Sequence, residues 1–291
     1  MKTKEIRDFY KTLSELNNSF THYSLVWYQF SIDYCDTFKK DPEILTKDYF
    51  ENNPFKRTHN IRLKELENEH KNTNKTLIEG IFLLIYSHFE SYLKDLLDFS
   101  RRVDDTIKPF EEKLNEYEND SMLLDKVFNR LSINKSEVKT EMIDSLDFFR
   151  LKRNRLTHQN AESISRSLRE LINSKGKVLN NYWDSKLPSK RQEIDFGSKE
   201  DTDALTFKII IDTINIFRMI SKEIDNLIIS KLTKKKIIEN YVIPEFLKNN
   251  KKNNPNLPSE RLVSKFTTFC MTEYSMEIDN DIIETLKRSI A

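Results

Sequence analysis

The sequence predicts an all-α protein in which long helices pack into a bundle. The 291 residues include only 3 glycines and 7 prolines, which favours long helices with few tight turns. Hydrophobic residues make up 37% of the chain and charged residues 33%, a balance typical of amphipathic helices. Along most of the chain the apolar residues recur with the period of a helix that has a buried face. A chain of this length can hold one large domain or two modest ones.

Residues 1–60 are predicted to form an N-terminal helical extension. Apolar and aromatic residues follow helical spacing from residue 4 to about residue 38, as one long helix or as two helices that break near Asn17-Asn18-Ser19. We expect the aromatic side chains of this segment to serve core packing rather than ligand binding. Pro42 and the turn at Asn52-Asn53-Pro54 predict a connector over residues 41–60.

The predicted core spans residues 61–232, and its central helix carries the widest apolar face of the chain. That face comprises Leu77, Ile78, Ile81, Phe82, Ile85, Phe89, Tyr92, Leu93 and Leu96. His88 lies on the same helix among apolar neighbours, which favours a packed, hydrogen-bonded side chain over a functional one.

A second core helix is predicted over residues 136–157, after shorter helices that break near Pro109, Asn119-Asp120 and Ser132. Its apolar stripe consists of Met142, Leu146, Phe149 and Leu156. Arg153 falls on that stripe, although a buried guanidinium must find acceptors or a phosphate to offset its desolvation. We therefore expect Arg153 to point inward or into an interface.

Two helices are predicted downstream. A short one at about 164–172 is closed by Gly176, and residues 182–200 are irregular, so we interpret the stretch 161–200 as an insertion. A long helix is capped by Asp201-Thr202-Asp203 and ends near Lys231. Its apolar residues cover more than one face, so it is either central in the bundle or part of a dimer interface.

Residues 233–291 are predicted to form a small C-terminal helical unit. Segments rich in lysine, asparagine and proline bracket a helix at about 237–247, and two further helices are expected at about 259–274 and 281–289. None of the three carries a convincing pattern of a nucleic-acid recognition helix.

The segment Arg153-Asn154-Arg155-Leu156-Thr157-His158 gathers cations, an amide and an imidazole. Residues three and four apart on a helix are neighbours, so Asn154, Arg155 and His158 can crowd one small volume. Arginine is a permanent phosphate ligand and histidine titrates near neutral pH, which together suit phosphodiester chemistry. Arg153 and His158 are about 140° apart on an ideal helix. They reach one phosphate only through long side chains, a helix break or a second subunit, and the sequence favours the last two.

This segment resembles the signature of the HEPN superfamily, an arginine and a histidine separated by four residues, with asparagine after the arginine. The stretch 81–96 is similar to the first core helix of several HEPN groups, in which an aromatic residue and a glutamate follow a small polar residue. The resemblance covers about residues 61–160 and a later helix. It implies a HEPN-like helical bundle, from which the stretch 161–200 departs.

By that resemblance the chain is expected to be a metal-independent endoribonuclease, of a toxin–antitoxin, abortive-infection or other antiphage system. His158 moves a proton of the ribose 2′-hydroxyl or of the leaving 5′-oxygen, Arg153 binds the scissile phosphate, and Asn154 orients the phosphate or His158. Glu90 pairs with the arginine or orients the histidine, and Arg155 supports them. The products carry a 2′,3′-cyclic phosphate and DNA is spared. No cofactor and no metal are expected.

The expected partners are RNA, a second copy of the chain, and an antitoxin or sensor protein. The motif of each chain has one histidine, whereas the reaction needs both a general base and a general acid. In the family, two motifs usually face each other across a homodimer. Arg150 and Lys152 extend the basic segment as candidate RNA contacts, although a solvated helix face is an equally good interpretation. Because 48 basic residues balance 47 acidic ones, any RNA contact must be local.

Three alternatives stay open. The chain could be a noncatalytic HEPN-fold subunit that binds RNA or a nucleotide. It could be a metal-dependent phosphohydrolase that uses His70, His88 and carboxylates, although no ligand spacing supports this. It could also be a purely structural bundle in which the arginine and the histidine are incidental.

Cysteine usage and hydropathy predict a cytoplasmic protein. Cys35 and Cys270 lie far apart and form no paired spacing, which fits a reducing compartment and inert buried thiols. The first residues lack the apolar core of a signal peptide, and the most apolar run is broken by Glu79 and is too short to cross a bilayer. No membrane partner is therefore expected.

Overall fold

The computed structural model describes residues 1–115, 122–157, 165–188, 193–198, 205–253 and 259–290. Within these ranges the chain forms α-helices and no β-strand, which confirms the all-α class. The helices are α1 Lys4–Lys40, α2 Thr46–Tyr49, α3 Leu66–Val103, α4 Leu123–Arg130, α5 Thr140–Thr157, α6 Arg166–Asp184, α7 Phe207–Leu232, α8 Lys234–Ile237, α9 Ile243–Asn253, α10 Ser259–Tyr274 and α11 Asn280–Ile290. A π-helical turn, Ile238–Val242, joins α8 to α9.

Helices α1, α3 and α7 pack against one another at the centre of the core. Phe9 of α1 stacks on Tyr92 of α3, with 5.1 Å between the ring centroids. The Tyr92 hydroxyl donates a hydrogen bond to the Ser221 carbonyl oxygen of α7 at 3.1 Å. The predicted apolar face of α3 is buried from Ile78 to Leu96, apart from the partly exposed Ile81, whereas Leu77 is 37% exposed. Helix α7 is central in the bundle, which was one of the two interpretations for it.

Helix α1 is a single helix with no break near Asn17. Its first half joins the core through Phe9 and Phe20, so the start of the predicted extension is part of the bundle. Its second half pairs with the start of α3 to form what we call the arm, residues 21–77. Tyr23, Trp27 and Phe30 on the arm are only partly buried and lie outside the core cluster, so the expectation that the α1 aromatic residues serve core packing is wrong there. Tyr28, next to Trp27, is 69% exposed.

Helix α6 runs through Gly176 to Asp184, so the prediction that Gly176 closes a short helix is wrong. The reason for glycine is a close approach: an added Cβ at Gly176 would lie 2.5 Å from the carbonyl oxygen of Phe196, where segment 193–198 crosses the helix. Residues 182–184 are likewise helical rather than irregular. The domain boundaries at residues 60, 161, 200 and 232 stay predictions.

Helix α6 packs along α5, the helix that carries the motif. Trp183 is fully buried, and its indole N–H donates a hydrogen bond to the Ser145 hydroxyl of α5 at 2.8 Å. Helix α5 begins at Thr140, later than expected, because Asn134 caps a separate 3₁₀ turn, Lys135–Glu137. The α6 contact therefore holds the motif helix from the side.

Two further expectations concern the second half of the chain. Thr206 caps α7, since its hydroxyl accepts a hydrogen bond from the Ile209 N–H at 3.3 Å. The predicted cap at Asp201-Thr202-Asp203 is wrong, because α7 begins only at Phe207; those three residues lie outside the described ranges. Helix α10 has the predicted limits.

The side chain of Cys270 is buried, and this burial raises the pKa of its thiol to about 12. The thiol is therefore protonated and unreactive near neutral pH, as expected. Among the described helices, none combines the length and the apolar character required to traverse a bilayer.

The carboxyl group of Glu5 is buried at the start of α1, and its Oε2 atom has no hydrogen-bond partner. Burial is the main cause that raises the pKa of Glu5 to about 7, while Asp225 raises it and Arg102 lowers it to smaller extents. A raised carboxyl pKa means that the folded state binds the proton more tightly than the unfolded state. The free energy of unfolding therefore falls as the pH rises from the ordinary value of 4.5 towards about 7.

We expect Glu5→Gln to stabilise the protein increasingly across this pH window, because glutamine has the same shape and no charge to bury. The gain relative to wild type is small at pH 4.5 and reaches at most about 3 kcal/mol above pH 7, since each pKa unit corresponds to about 1.4 kcal/mol. Urea unfolding at pH 5 and at pH 8 measures it. If the free energies of unfolding of Glu5→Gln and wild type differ by the same amount at both pH values, the raised pKa of the buried Glu5 carboxyl is contradicted.

Candidate functional site

The last turns of α5 lie against the middle of α3. Phe149 of α5 contacts Phe82 of α3, with 6.1 Å between the ring centroids. One helical turn further along each helix, the guanidinium carbon of Arg153 lies 5.5 Å from the centre of the Tyr86 ring. The apolar packing of the two helices therefore sets the position of Arg153.

Arg153 lies half-buried, with 35% of its side chain exposed. Its Nη2 donates to Glu90 Oε2 at 3.4 Å and its Nη1 to Asn154 Oδ1 at 3.1 Å. A carboxylate, an amide oxygen and an aromatic face thus offset the desolvation of the cation. The expectation that Arg153 points inward and finds acceptors agrees with these contacts, while an exposed edge stays open to solvent.

Glu90 is the partner that α3 contributes. The ion pair is long for a charge-assisted hydrogen bond, and about a third of each side chain is exposed. Such a pair contributes at most about 1 kcal/mol to stability. Its main consequence is to orient the guanidinium; the expected role of Glu90 in catalysis stays a prediction.

The neighbouring cations differ in their surroundings. Arg150 is half-buried and pairs with Asp147, with Nε and Nη2 at 2.9 and 2.7 Å from Oδ1. Arg155 is half-buried in the last described turn. Lys152 is only 3% exposed, and its ammonium lies 5.8 Å from the centre of the Phe148 ring. The interpretation of Lys152 as part of a solvated helix face is therefore wrong, and its burial removes it from an accessible basic patch.

His158 lies outside the described residues, which end at Thr157 before resuming at Ser165. Helix α5 continues to Thr157, whose hydroxyl donates to the carbonyl oxygens of Arg153 and Asn154 at 3.2 and 3.0 Å. The juxtaposition of Arg153 and His158 stays a prediction.

Tyr86 is the residue of this site that the sequence did not single out. Burial raises the pKa of its phenol to about 12, and the charge of Glu90 adds to the rise. The phenol therefore keeps its proton near neutral pH and offers Arg153 a neutral aromatic face. Tyr86 precedes Glu90 by four residues on α3, a spacing that places the two side chains on one face. The four-residue spacing between Tyr86 and Glu90 is the feature of the sequence from which Tyr86 could have been predicted as part of this site.

No group of three or more histidine, cysteine, aspartate or glutamate side chains in the described ranges could hold a metal ion. The two histidines proposed for a metal-dependent hydrolase, His70 and His88, are both on α3. His70 lies on the arm, where its ring stacks on Trp27 at 3.7 Å.

The arrangement places one oriented arginine at the end of a helix, with a polar edge towards solvent. A guanidinium has five N–H donors, so contacts with one carboxylate oxygen and one amide oxygen do not exhaust them. Such a group can bind an anionic oxygen. No protein-family model, no curated protein and no solved structure matches this chain.

Proposed function

We propose that this chain is a metal-independent endoribonuclease that cleaves RNA by attack of the ribose 2′-hydroxyl. The observation that carries the proposal is Arg153, which Glu90, Asn154 and Tyr86 hold half-exposed five residues before His158. The resemblance to the HEPN signature supports the same assignment from the sequence. The toxin–antitoxin or antiphage setting rests on that resemblance alone.

In the proposed reaction the 2′-oxygen attacks the adjacent phosphorus and the bond from phosphorus to the 5′-oxygen breaks. The proton of the 2′-hydroxyl leaves to a base and the 5′-oxygen receives a proton from an acid, which yields a 2′,3′-cyclic phosphate and a 5′-hydroxyl. His158 performs one of these transfers, since an imidazole exchanges its proton near neutral pH. Arg153 stabilises the charge that develops on the nonbridging phosphate oxygens.

Asn154 and Glu90 position the arginine in this mechanism. Their two hydrogen bonds engage Nη1 and Nη2 and hold the plane of the guanidinium over the Tyr86 ring. A fixed guanidinium loses little conformational entropy when it binds the phosphate, so the contacts contribute to rate through preorganisation.

The two proton transfers require a base and an acid, and each chain offers one histidine in the motif. A homodimer with its twofold axis near the motif supplies both, which is the physical reason to propose it. Sedimentation at the concentration used for the cleavage assay tests this, and a monomer with full activity would contradict it.

The direct test is incubation of single-stranded RNA and of DNA of the same sequence with the wild-type protein in excess chelator. We expect RNA to be cut and DNA to be spared, because DNA lacks the nucleophilic 2′-hydroxyl. Cleavage that stops in chelator and returns with a divalent metal would overturn metal independence. Tight RNA binding without turnover would instead assign the chain to the noncatalytic alternative.

A further inference from the structure

The arm carries an open cavity of about 730 Å³ between α1 and α3, which we call the arm pocket. Trp27, Tyr28, Phe38 and His70 supply four rings to its wall, next to the polar side chains of Lys39 and Asn74. A volume of this size lies in the range of small-molecule sites. A second cavity of about 700 Å³ adjoins it and shares Trp27.

Two of the four rings of the pocket, those of Trp27 and His70, are stacked on each other. Trp27 and His70 are parallel within 8°, with 3.7 Å between their centroids, and Tyr23 lies on the His70 side at 5.9 Å. The Tyr23 hydroxyl is 3.1 Å from His70 Nδ1, which fixes the plane of the imidazole. Burial lowers the pKa of His70, so its ring is neutral near neutral pH and presents a flat surface rather than a charge.

The charged side chains of the pocket are mostly basic: Lys39, Lys64 and Lys71 against Glu67. Lys71 pairs with Glu67 at 2.9 Å, and Lys64 pairs with Glu43 outside the pocket. Lys39 is exposed and makes no ion pair or hydrogen bond within the part of the chain that the structure describes. The pocket therefore presents flat aromatic surface beside a cation that an anionic group can engage.

We propose that the arm pocket binds a nucleotide unit, with its base on the aromatic wall and its phosphate at Lys39. Bases stack on exposed aromatic side chains with little regard to sequence, and lysines along the groove follow the phosphates. The exposed aromatic surface on the arm adds nothing to the core, and exposed apolar patches of this kind commonly mark ligand-binding grooves. Asn74 supplies a donor and an acceptor for a base edge.

The nucleotide that the arm pocket binds is an unpaired residue of the RNA substrate. This part of the inference rests on the proposed ribonuclease function. His70 and Glu90 are twenty residues apart on α3, which corresponds to about 30 Å along the helix axis. At about 3.4 Å per stacked nucleotide, a strand of roughly nine nucleotides covers that distance. A free nucleotide is the other source with the same chemistry.

Tryptophan fluorescence tests the proposal without cleavage. The chain has two tryptophans, and Trp183 is fully buried, whereas Trp27 lines the arm pocket. A change in tryptophan emission when a ligand enters the pocket therefore reports on Trp27. The probes are AMP and a single-stranded 2′-O-methyl oligonucleotide of about twelve residues, long enough for the roughly 30 Å span. The oligonucleotide has no 2′-hydroxyl and stays intact. We expect the oligonucleotide to quench Trp27, and about tenfold weaker binding in Trp27→Ala and Lys39→Glu, read by anisotropy of a labelled strand.

Two matched controls lie on the same helix outside the pocket. Leu25→Ala removes an exposed apolar side chain, and Lys40→Glu makes the same charge change one residue from Lys39; both should bind as wild type does. Circular dichroism shows whether each variant folds. An equal loss of oligonucleotide affinity in Lys39→Glu and Lys40→Glu would contradict a specific contact between Lys39 and a phosphate.

The outcomes separate the two proposals. Quenching by AMP but not by the oligonucleotide assigns the pocket to free nucleotides and overturns RNA as the source. No quenching by either probe, or oligonucleotide binding that Trp27→Ala leaves unchanged, overturns the pocket even if the wild type cleaves RNA. If the oligonucleotide quenches Trp27 as expected but the protein does not cleave RNA, nucleotide binding in the arm pocket is supported and the proposed ribonuclease activity is contradicted.

Discussion

We expect the replacement of His158 with alanine to lower the rate of the proposed RNA cleavage by about a hundredfold to ten-thousandfold, the range for loss of a general acid or base. We expect the replacement of Arg153 with alanine to lower this rate by about a hundredfold to a thousandfold, because the charge that grows on the phosphate oxygens would lose its positioned donor. Single-turnover kinetics at saturating protein measure the chemical step separately from RNA binding.

Arg166→Ala is the matched control for the arginine. Its side chain is 92% exposed on α6, where it pairs with Glu170, so its loss should leave both folding and rate unchanged. Glu90→Gln keeps the shape of the Arg153 partner and removes its charge; we expect a smaller fall in rate, with RNA binding retained. Wild-type rates in both Arg153→Ala and His158→Ala would remove the motif from the mechanism.

Replacing Trp183 with alanine destabilises the protein by about 3–5 kcal/mol, the usual cost of deleting a buried indole. The side chain is fully buried, and its N–H donates to the Ser145 hydroxyl of α5. The variant therefore leaves a cavity between α5 and α6, and the Ser145 oxygen loses its N–H donor while its hydroxyl still donates to the Glu141 carbonyl oxygen at 2.7 Å. Urea unfolding with circular dichroism measures the loss.

Trp183→Phe is the control, because it keeps most of the ring volume and removes only the N–H donor. We expect it to cost about 1–2 kcal/mol, near the value of one buried hydrogen bond with some loss of packing. A Trp183→Ala protein as stable as wild type would show that α6 does not hold the motif helix.

Helical periodicity predicted the elements that rely on a single buried face. The helical character of residues 4–38, left open as one helix or two, and the central place of α3 follow from apolar spacing. The place of α10 followed instead from the segment rich in lysine, asparagine and proline before it. Arg153 was expected to find acceptors because it lay on an apolar stripe, and its contacts with Glu90 and Asn154 agree.

The features that were not predicted depend on tertiary contacts. Gly176 resembles a helix terminator in sequence, but the segment at Phe196 crosses α6 there and requires its missing Cβ. Lys152 resembles a surface lysine, yet the packing of α5 buries it. The α1 aromatic residues have one periodicity along the whole helix, whereas the residues of α1 that are buried in the core end at Phe20. Periodicity reports which face is apolar and not how much of that face a neighbour covers.

The most direct test of the central proposal is cleavage of an RNA in which one ribose, at a site that the wild type cuts, lacks its 2′-hydroxyl. In chelator, we predict that cleavage at that position disappears while other sites are still cut to 2′,3′-cyclic phosphate ends. Cleavage at the deoxy position with unchanged rate would contradict 2′-hydroxyl attack and the roles assigned to Arg153 and His158.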